Sequence, residues 1–275
     1  MTMAATPPLL ATLDGYAVEG GFDTPGGIAT CYSPAVALGR ISGPGSAANL
    51  WEHYEIAVRH VNELGLDGIV LTVEWARVEP RQGQIDESAW ERYRTVIATA
   101  RACGLRVTVT VIDAVWPAWL GPESWLLPWT GPAFLLHVER LVERLGGDID
   151  GLQLFSRGEA LIDDGFLRGV IPPWRKREKL DAAEAKNHLR TLESTVRSRP
   201  AISRLLIGSV AEIPAVLPAS AWPAVVAQAR KASEVHIRSL VRGAGPTAAA
   251  SGLLTVVGGE ARGQAPKALL DLWRS

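Results

Sequence analysis

NELGLDGIVLTVEWARVEP, residues 62–80, decides how this chain folds. A helical pattern runs into Gly65, and three residues later an apolar, β-branched run (GIVLTVEW, 68–75) begins. Such a run without alternating polar positions suits a strand covered on both faces. Upstream, residues 51–64 (WEHYEIAVRHVNEL) set Tyr54, Val58, Val61 and Leu64 at helical spacing, with Gly65 as the stop. Downstream the alternation returns. Residues 87–103 read as a helix halted by Gly104, 106–112 (RVTVTVI) as a strand, 131–145 as a helix and 151–155 as a strand. A long helix over 181–197 leads to a strand over 204–211 (RLLIGSVA). An earlier strand lies near residue 13, and a weaker one over 252–257 (GLLTVV). Repeated strand–helix units with continuous apolar strands predict an α/β fold with a parallel sheet under helices.

The 275 residues, 47% of them hydrophobic, suffice for one large core, and residues 1–275 read as a single domain. A net charge of −1 supplies no field for gathering phosphates, so nucleic acid is not an expected partner. Two cysteines, Cys31 and Cys103, make neither a disulfide framework nor a metal-ligand spacing. MTMAATPPLLATLDG, residues 1–15, lacks the basic and apolar regions of a secretory signal, and no run reaches the roughly 20 apolar residues that span a bilayer. A cytoplasmic protein without membrane association and without a cofactor is expected. No G-x-G-x-x-G follows a strand, which weakens the alternative of a doubly wound nucleotide-binding sheet. The strand spacing fits a TIM-barrel-like (β/α) fold, incomplete at about six strands. Its exposed edges would need cover, from a rearranged terminus, a second copy of the chain in a homo-oligomer, or a partner subunit.

Several motifs in register resemble glycoside hydrolase family one, the β-glucosidase-like barrels. Residues 49–54 (NLWEHY) match its D-H-Y-x-x-Y helix start, and 62–80 match K-E-L-G…F-S-I-S-W-x-R-I-x-P. Residues 83–117 are similar to the segment that ends in H-W-D-x-P. VERLGGDIDGLQLFSRG is similar to the run that ends in N-E-P, GFLRGVIPP to G-Y-x-x-G-x-x-P-P, and GYAVEG to A-Y-Q-x-E-G. The resemblance is best over 10–218 and leaves 219–275 as a divergent C-terminal part. It implies a (β/α)8 barrel and a retaining glycosidase with two carboxylates about 5–5.5 Å apart. Yet its acid/base position falls on Arg157 and the asparagine before it on Ser156. Its sugar-holding glutamine falls on Ala17, and the histidine and tryptophan of H-W-D fall on Asp113 and Ala114. The nucleophile's E-N-G is absent. An arginine cannot act as a general acid near neutral pH. A two-residue slip would bring Glu159 to the acid/base position, at the cost of the register that aligns GFLRG.

In a barrel, residues at the C-terminal strand ends face the site. Glu74, Asp113, Arg157 and Glu212 are expected at four such ends, with Arg77 just beyond Glu74. Glu74, Asp113, Glu212 and Glu159 are therefore the catalytic candidates. Arg77, Arg157, Trp75 and Trp116 are the ligand-binding candidates, and no metal is expected. These charges are either a remodelled site, with arginines clamping an anionic ligand, or a buried ion-pair network filling a dead cavity. Trp116, Trp119, Trp125 and Trp129 crowd one loop, where they would stack on sugars or pack the loop. His53 and His60 fall on an outer layer, and His137, His188 and His236 each stand alone. WRKREK (174–179) reads as a solvated loop or helix start, and GGEARG (258–263) as a turn. Three functions follow: a β-glucosidase-like pseudoenzyme that binds a carbohydrate or small ligand or serves as a scaffold; an enzyme of altered chemistry at the remodelled mouth; or an O-glycosyl hydrolase using Glu159.

Overall fold

The computed structural model describes residues 6–214, 222–238 and 274. Six strands, β1 (Leu9–Leu13), β2 (Gly68–Thr72), β3 (Arg106–Ile112), β4 (Gly151–Phe155), β5 (Val210–Pro214) and β6 (Glu234–Arg238), form one sheet. Its order is β4-β3-β2-β1-β6-β5, and every pairing is parallel. In chain order the helices are α1 (Gly15–Val18), α2 (Ser33–Ala37), α3 (Leu50–Glu63), α4 (Trp75–Val78), α5 (Glu87–Ala102), α6 (Thr130–Leu145), α7 (Glu159–Ile162), α8 (Lys179–Arg197), α9 (Pro200–Ser203) and α10 (Trp222–Ala229). Helix α5 shows why these boundaries hold. The Asp86 carboxylate accepts the Ala89 N–H (3.0 Å) at its start, and Gly104 takes a φ of 77° just past its end.

Strand alternation divides the side chains into two faces. Leu9, Ala11, Leu13, Ile69, Leu71, Val107, Val109, Val111, Leu152 and Leu154 join one apolar cluster with Val58 and Val61 of α3, Ile97 of α5, Leu141 of α6 and Leu192 of α8. The alternate positions carry Thr12, Thr72, Thr108, Thr110, Gln153, Glu234 and His236. Thr108 of β3 places its hydroxyl 3.1 and 3.2 Å from the Glu234 carboxylate of β6. Those strands are three spacings apart, roughly 14 Å in a flat sheet, so the sheet is rolled with this polar face inside. The segment that precedes β5 is bridged to β4 at one point. Leu152 N–H donates to the Leu205 carbonyl (2.7 Å), and Ile207 N–H donates to the Leu152 carbonyl (3.1 Å). The fold is an incomplete, TIM-barrel-like α/β barrel.

Two strand expectations are corrected. The expected strand over 204–211 is split: Leu206 bridges to β4, and only from Val210 does the chain run as β5 beside β6. Gly208 permits the swing, since a Cβ there would lie 2.4 Å from Ser233 Oγ. Strand β6 (EVHIR) was not expected, and it joins β1 to β5. The strand expected over 252–257 and the turn at 258–263 lie outside the described residues. No described helix is long and apolar enough to cross a membrane.

Candidate functional site at the barrel mouth

Glu74 follows β2 directly as the cap residue of α4, an extended residue (φ −65°, ψ 111°) that turns the chain from strand to helix. Its side chain lies over Gly15, where a Cβ would come within 2.3 Å of Glu74 Cγ. Tyr16 N–H donates to Glu74 Oε1 (2.8 Å), and the residue is only 2% exposed. Burial drives its carboxyl well above the usual range, reinforced by Glu19 and, more weakly, by Asp113. Burial thus favours the neutral form of Glu74 over the ionised one.

Arg77, one turn into α4, faces Glu19 rather than a ligand. Its Nε donates to Glu19 Oε2 (2.7 Å), and Nη2 donates to the Gly20 carbonyl (2.6 Å). The guanidinium is sandwiched between the Phe22 ring (4.3 Å) and the Trp51 ring (3.9 Å). Tyr93 of α5 ties the cluster together: its hydroxyl donates to Glu19 Oε1 (2.8 Å) and accepts the Glu74 N–H (3.1 Å). Glu19, Glu74, Arg77 and Tyr93 form a sealed network between β2 and the first loop. Glu19 and Tyr93 were not singled out from the sequence. The sole sequence signal for Glu19 is its place in GYAVEG.

Arg157 lies two residues past β4, a quarter exposed, and is ion-paired with Asp164, which also binds Arg168 (2.6 Å). Asp113, just past β3, accepts the Ser156 hydroxyl. Glu159 begins α7 and turns outward, 42% exposed, to Arg190 (2.5 Å) and Lys186 (3.7 Å) of α8. Glu212 sits inside β5 opposite His236 of β6, not at the strand's end as expected. Glu74 and Asp113 are thus close enough to interact, Arg157 is turned to Asp164, and Glu159 belongs to another face.

The ligand-binding tryptophans are core residues. Trp75 is 1% exposed, stacks on His137 (4.5 Å, 6°) and donates from Nε1 to Glu79 (3.0 Å). Burial holds His137 down at about 3, with Arg140 adding to the effect, so the stacked imidazole is neutral. Trp116, also 1% exposed, meets Trp125 edge-on and donates to the Gly121 carbonyl (2.8 Å). Of the four loop tryptophans Trp129 is the one open to solvent, at 54%. Among the described residues no three His, Cys, Asp or Glu side chains group as a metal ion would need.

A cavity of about 320 Å³ opens beside Arg157, where the β4 edge and the segment leading into β5 part above the Leu152–Leu206 bridge. Gln153, Ser156, Arg157 and Gly158 form one wall, Glu193 and Arg197 of α8 another, and Leu206 and Ile207 the base. Of this lining, Ser156 and Arg157 were marked by sequence position; α8 arrives from about 40 residues away.

Solved structures supply the comparison. The chain superposes on a family one β-glucosidase from Thermotoga maritima with a TM-score of 0.67, at 16% identity over 77% of this chain and 49% of that one. A β-glycosidase from Pyrococcus horikoshii gives 0.65, at 21% identity over 79% and 50%. The fold is that of family one β-glucosidases, in part. A β-glucosidase-like protein, SFR2, chloroplastic in Oryza sativa subsp. japonica, is 22% identical over 169 residues, 59% of this chain and 26% of that protein. This β-glucosidase-like chain thus spans about half the length of those solved structures and a quarter of the curated relative. No protein-family profile matches it.

Proposed function

We propose that this β-glucosidase-like chain binds a small, carbohydrate-sized ligand at its barrel mouth without hydrolysing it. One observation carries the reading. The position that the resemblance assigns to the acid/base glutamate is Arg157, ion-paired to Asp164 on the wall of an open cavity. A guanidinium stays protonated at every physiological pH, so it cannot protonate a leaving oxygen, but it can donate to a bound one. The carboxylates nearby do not take over that role. Glu74 is sealed against Tyr16 N–H, and Glu159 is engaged by α8. About 320 Å³ is at the lower end of the ~300–1,000 Å³ usual for small-molecule sites. The test is calorimetric titration with glucose and methyl β-glucoside, followed by chromatography of the mixture. Heat of binding with intact glycoside recovered is expected. Glucose released from the glycoside, or no heat from any sugar, neutral or charged, overturns the proposal.

A second reading, altered chemistry at the mouth, is favoured by the raised Glu74 carboxyl within electrostatic reach of Asp113, the pattern of an acid poised beside a base. It requires the sealed network to open. Glu74→Gln and Asp113→Asn would then abolish any turnover found, whereas in a structural network they change stability alone.

A further inference from the structure

The cavity at the β4–β5 seam has chemistry that a neutral sugar does not use fully. Leu152 is the last residue of β4 bridged to the incoming segment. Two residues on, strand alternation turns Leu154 N–H and C=O to the same side. There the chain has already swung away to β6, where the Ser209 carbonyl accepts Ser233 N–H (2.9 Å). A donor and an acceptor of the backbone therefore face the cavity instead of a strand. Beside them stands the Gln153 amide, whose Oε1 already accepts the Thr110 hydroxyl (3.1 Å), leaving its NH2 to donate. Such alternating donors and acceptors match the vicinal hydroxyls of a sugar.

The charges add selectivity. Arg157 and Arg197 line the cavity against one carboxylate, Glu193. Arg157 is compensated by Asp164, but Arg197 and Glu193 form no ion pair or side-chain hydrogen bond with described residues, not even with each other across one helical turn. The free guanidinium offers a planar fork for an oxyanion, and Glu193 can accept from hydroxyls. From this juxtaposition we infer that the β4–β5 seam is a site for a monosaccharide bearing one negative charge, a sugar carboxylate or a sugar phosphate. The inference rests on the ligand-binding reading above and deepens it.

The experiment titrates the full chain with glucuronate, glucose 6-phosphate and glucose, with acetate and inorganic phosphate as controls. At least one charged sugar is expected to bind about tenfold more tightly than glucose, and which one does so distinguishes carboxylate from phosphate. Arg197→Gln, an exposed change, should remove that advantage and bring the charged sugar's affinity down to that of glucose for the same variant. Glu193→Gln should tighten the charged sugar by removing a like charge. Glucose binding with no preference for charge, or a preference indifferent to Arg197→Gln, overturns the inference and leaves the ligand-binding reading standing. Inorganic phosphate or acetate binding as tightly as the charged sugar also overturns it, since the site would then be for an anion alone. No binding by any sugar overturns both.

Discussion

At the scale of single residues, the mouth is governed by charges removed from water. Folding raises the Glu74 carboxyl, so the folded chain holds that proton more tightly than the unfolded one. The resulting stability is complete below the ordinary value near 4.5 and is lost as pH rises through the raised, folded value. Glu74→Gln keeps an acceptor for Tyr16 N–H and cannot ionise. Urea titrations should show it close to wild type at pH 4.5 and more stable by about 1–3 kcal/mol at pH 8. A mutant gap that does not widen with pH would contradict the burial argument. Arg77→Ala strands the Glu19 carboxylate, and a loss of about 3–5 kcal/mol is expected in the same assay. Arg77 and Glu74 were legible because barrel geometry places residues after β2 at the mouth. Their partners were not. Glu19 lies 58 residues from Arg77, and no local pattern marks so distant a pairing.

At the scale of elements, helices α3, α5, α6 and α8 and strands β2 to β4 followed from apolar periodicity, because each packs one stripe or both faces into a single core. The same reasoning failed where a strand is polar on one side. In β6, Glu234 and His236 alternate with apolar residues, and these polar positions are buried inside the barrel, where Glu234 meets His236 (3.1 Å) and accepts the Thr108 hydroxyl. That pattern resembles a solvent-facing segment. It failed again at 204–211, where one apolar run serves two partners in turn. Close approach of strands gives a sharper test. A Cβ on Gly68 would lie 2.3 Å from the Arg106 carbonyl oxygen, backbone that cannot yield without breaking the β2–β3 ladder. Gly68→Ala should cost about 1–3 kcal/mol, read from thermal melts. Gly147→Ala, with nothing within 4 Å of the added Cβ, should leave the melt nearly unchanged. Equal effects would contradict the packing described for β2 and β3.

At the scale of the whole molecule, the rolled sheet is continuous except at its seam, closed by the single Leu152–Leu206 bridge. The seam should open more readily than the β1–β2–β3 centre, so the Ile207 amide is expected to exchange with deuterium well before those of Val70 and Leu71 in β2, which is paired on both sides. Exchange at the same rate would mean a closure firmer than one bridge. The barrel architecture was legible because α/β units repeat; its closure was not, since it depends on β6 and on a strand split between two neighbours. The central claim is that a guanidinium, not a carboxyl group, occupies the position from which a sugar's leaving oxygen is protonated. Release of 4-nitrophenol from 4-nitrophenyl β-glucoside, followed from pH 4.5 to 8, tests it most directly. Hydrolysis indistinguishable from buffer is expected throughout, and release that disappears on Glu159→Gln or Glu74→Gln would contradict the claim.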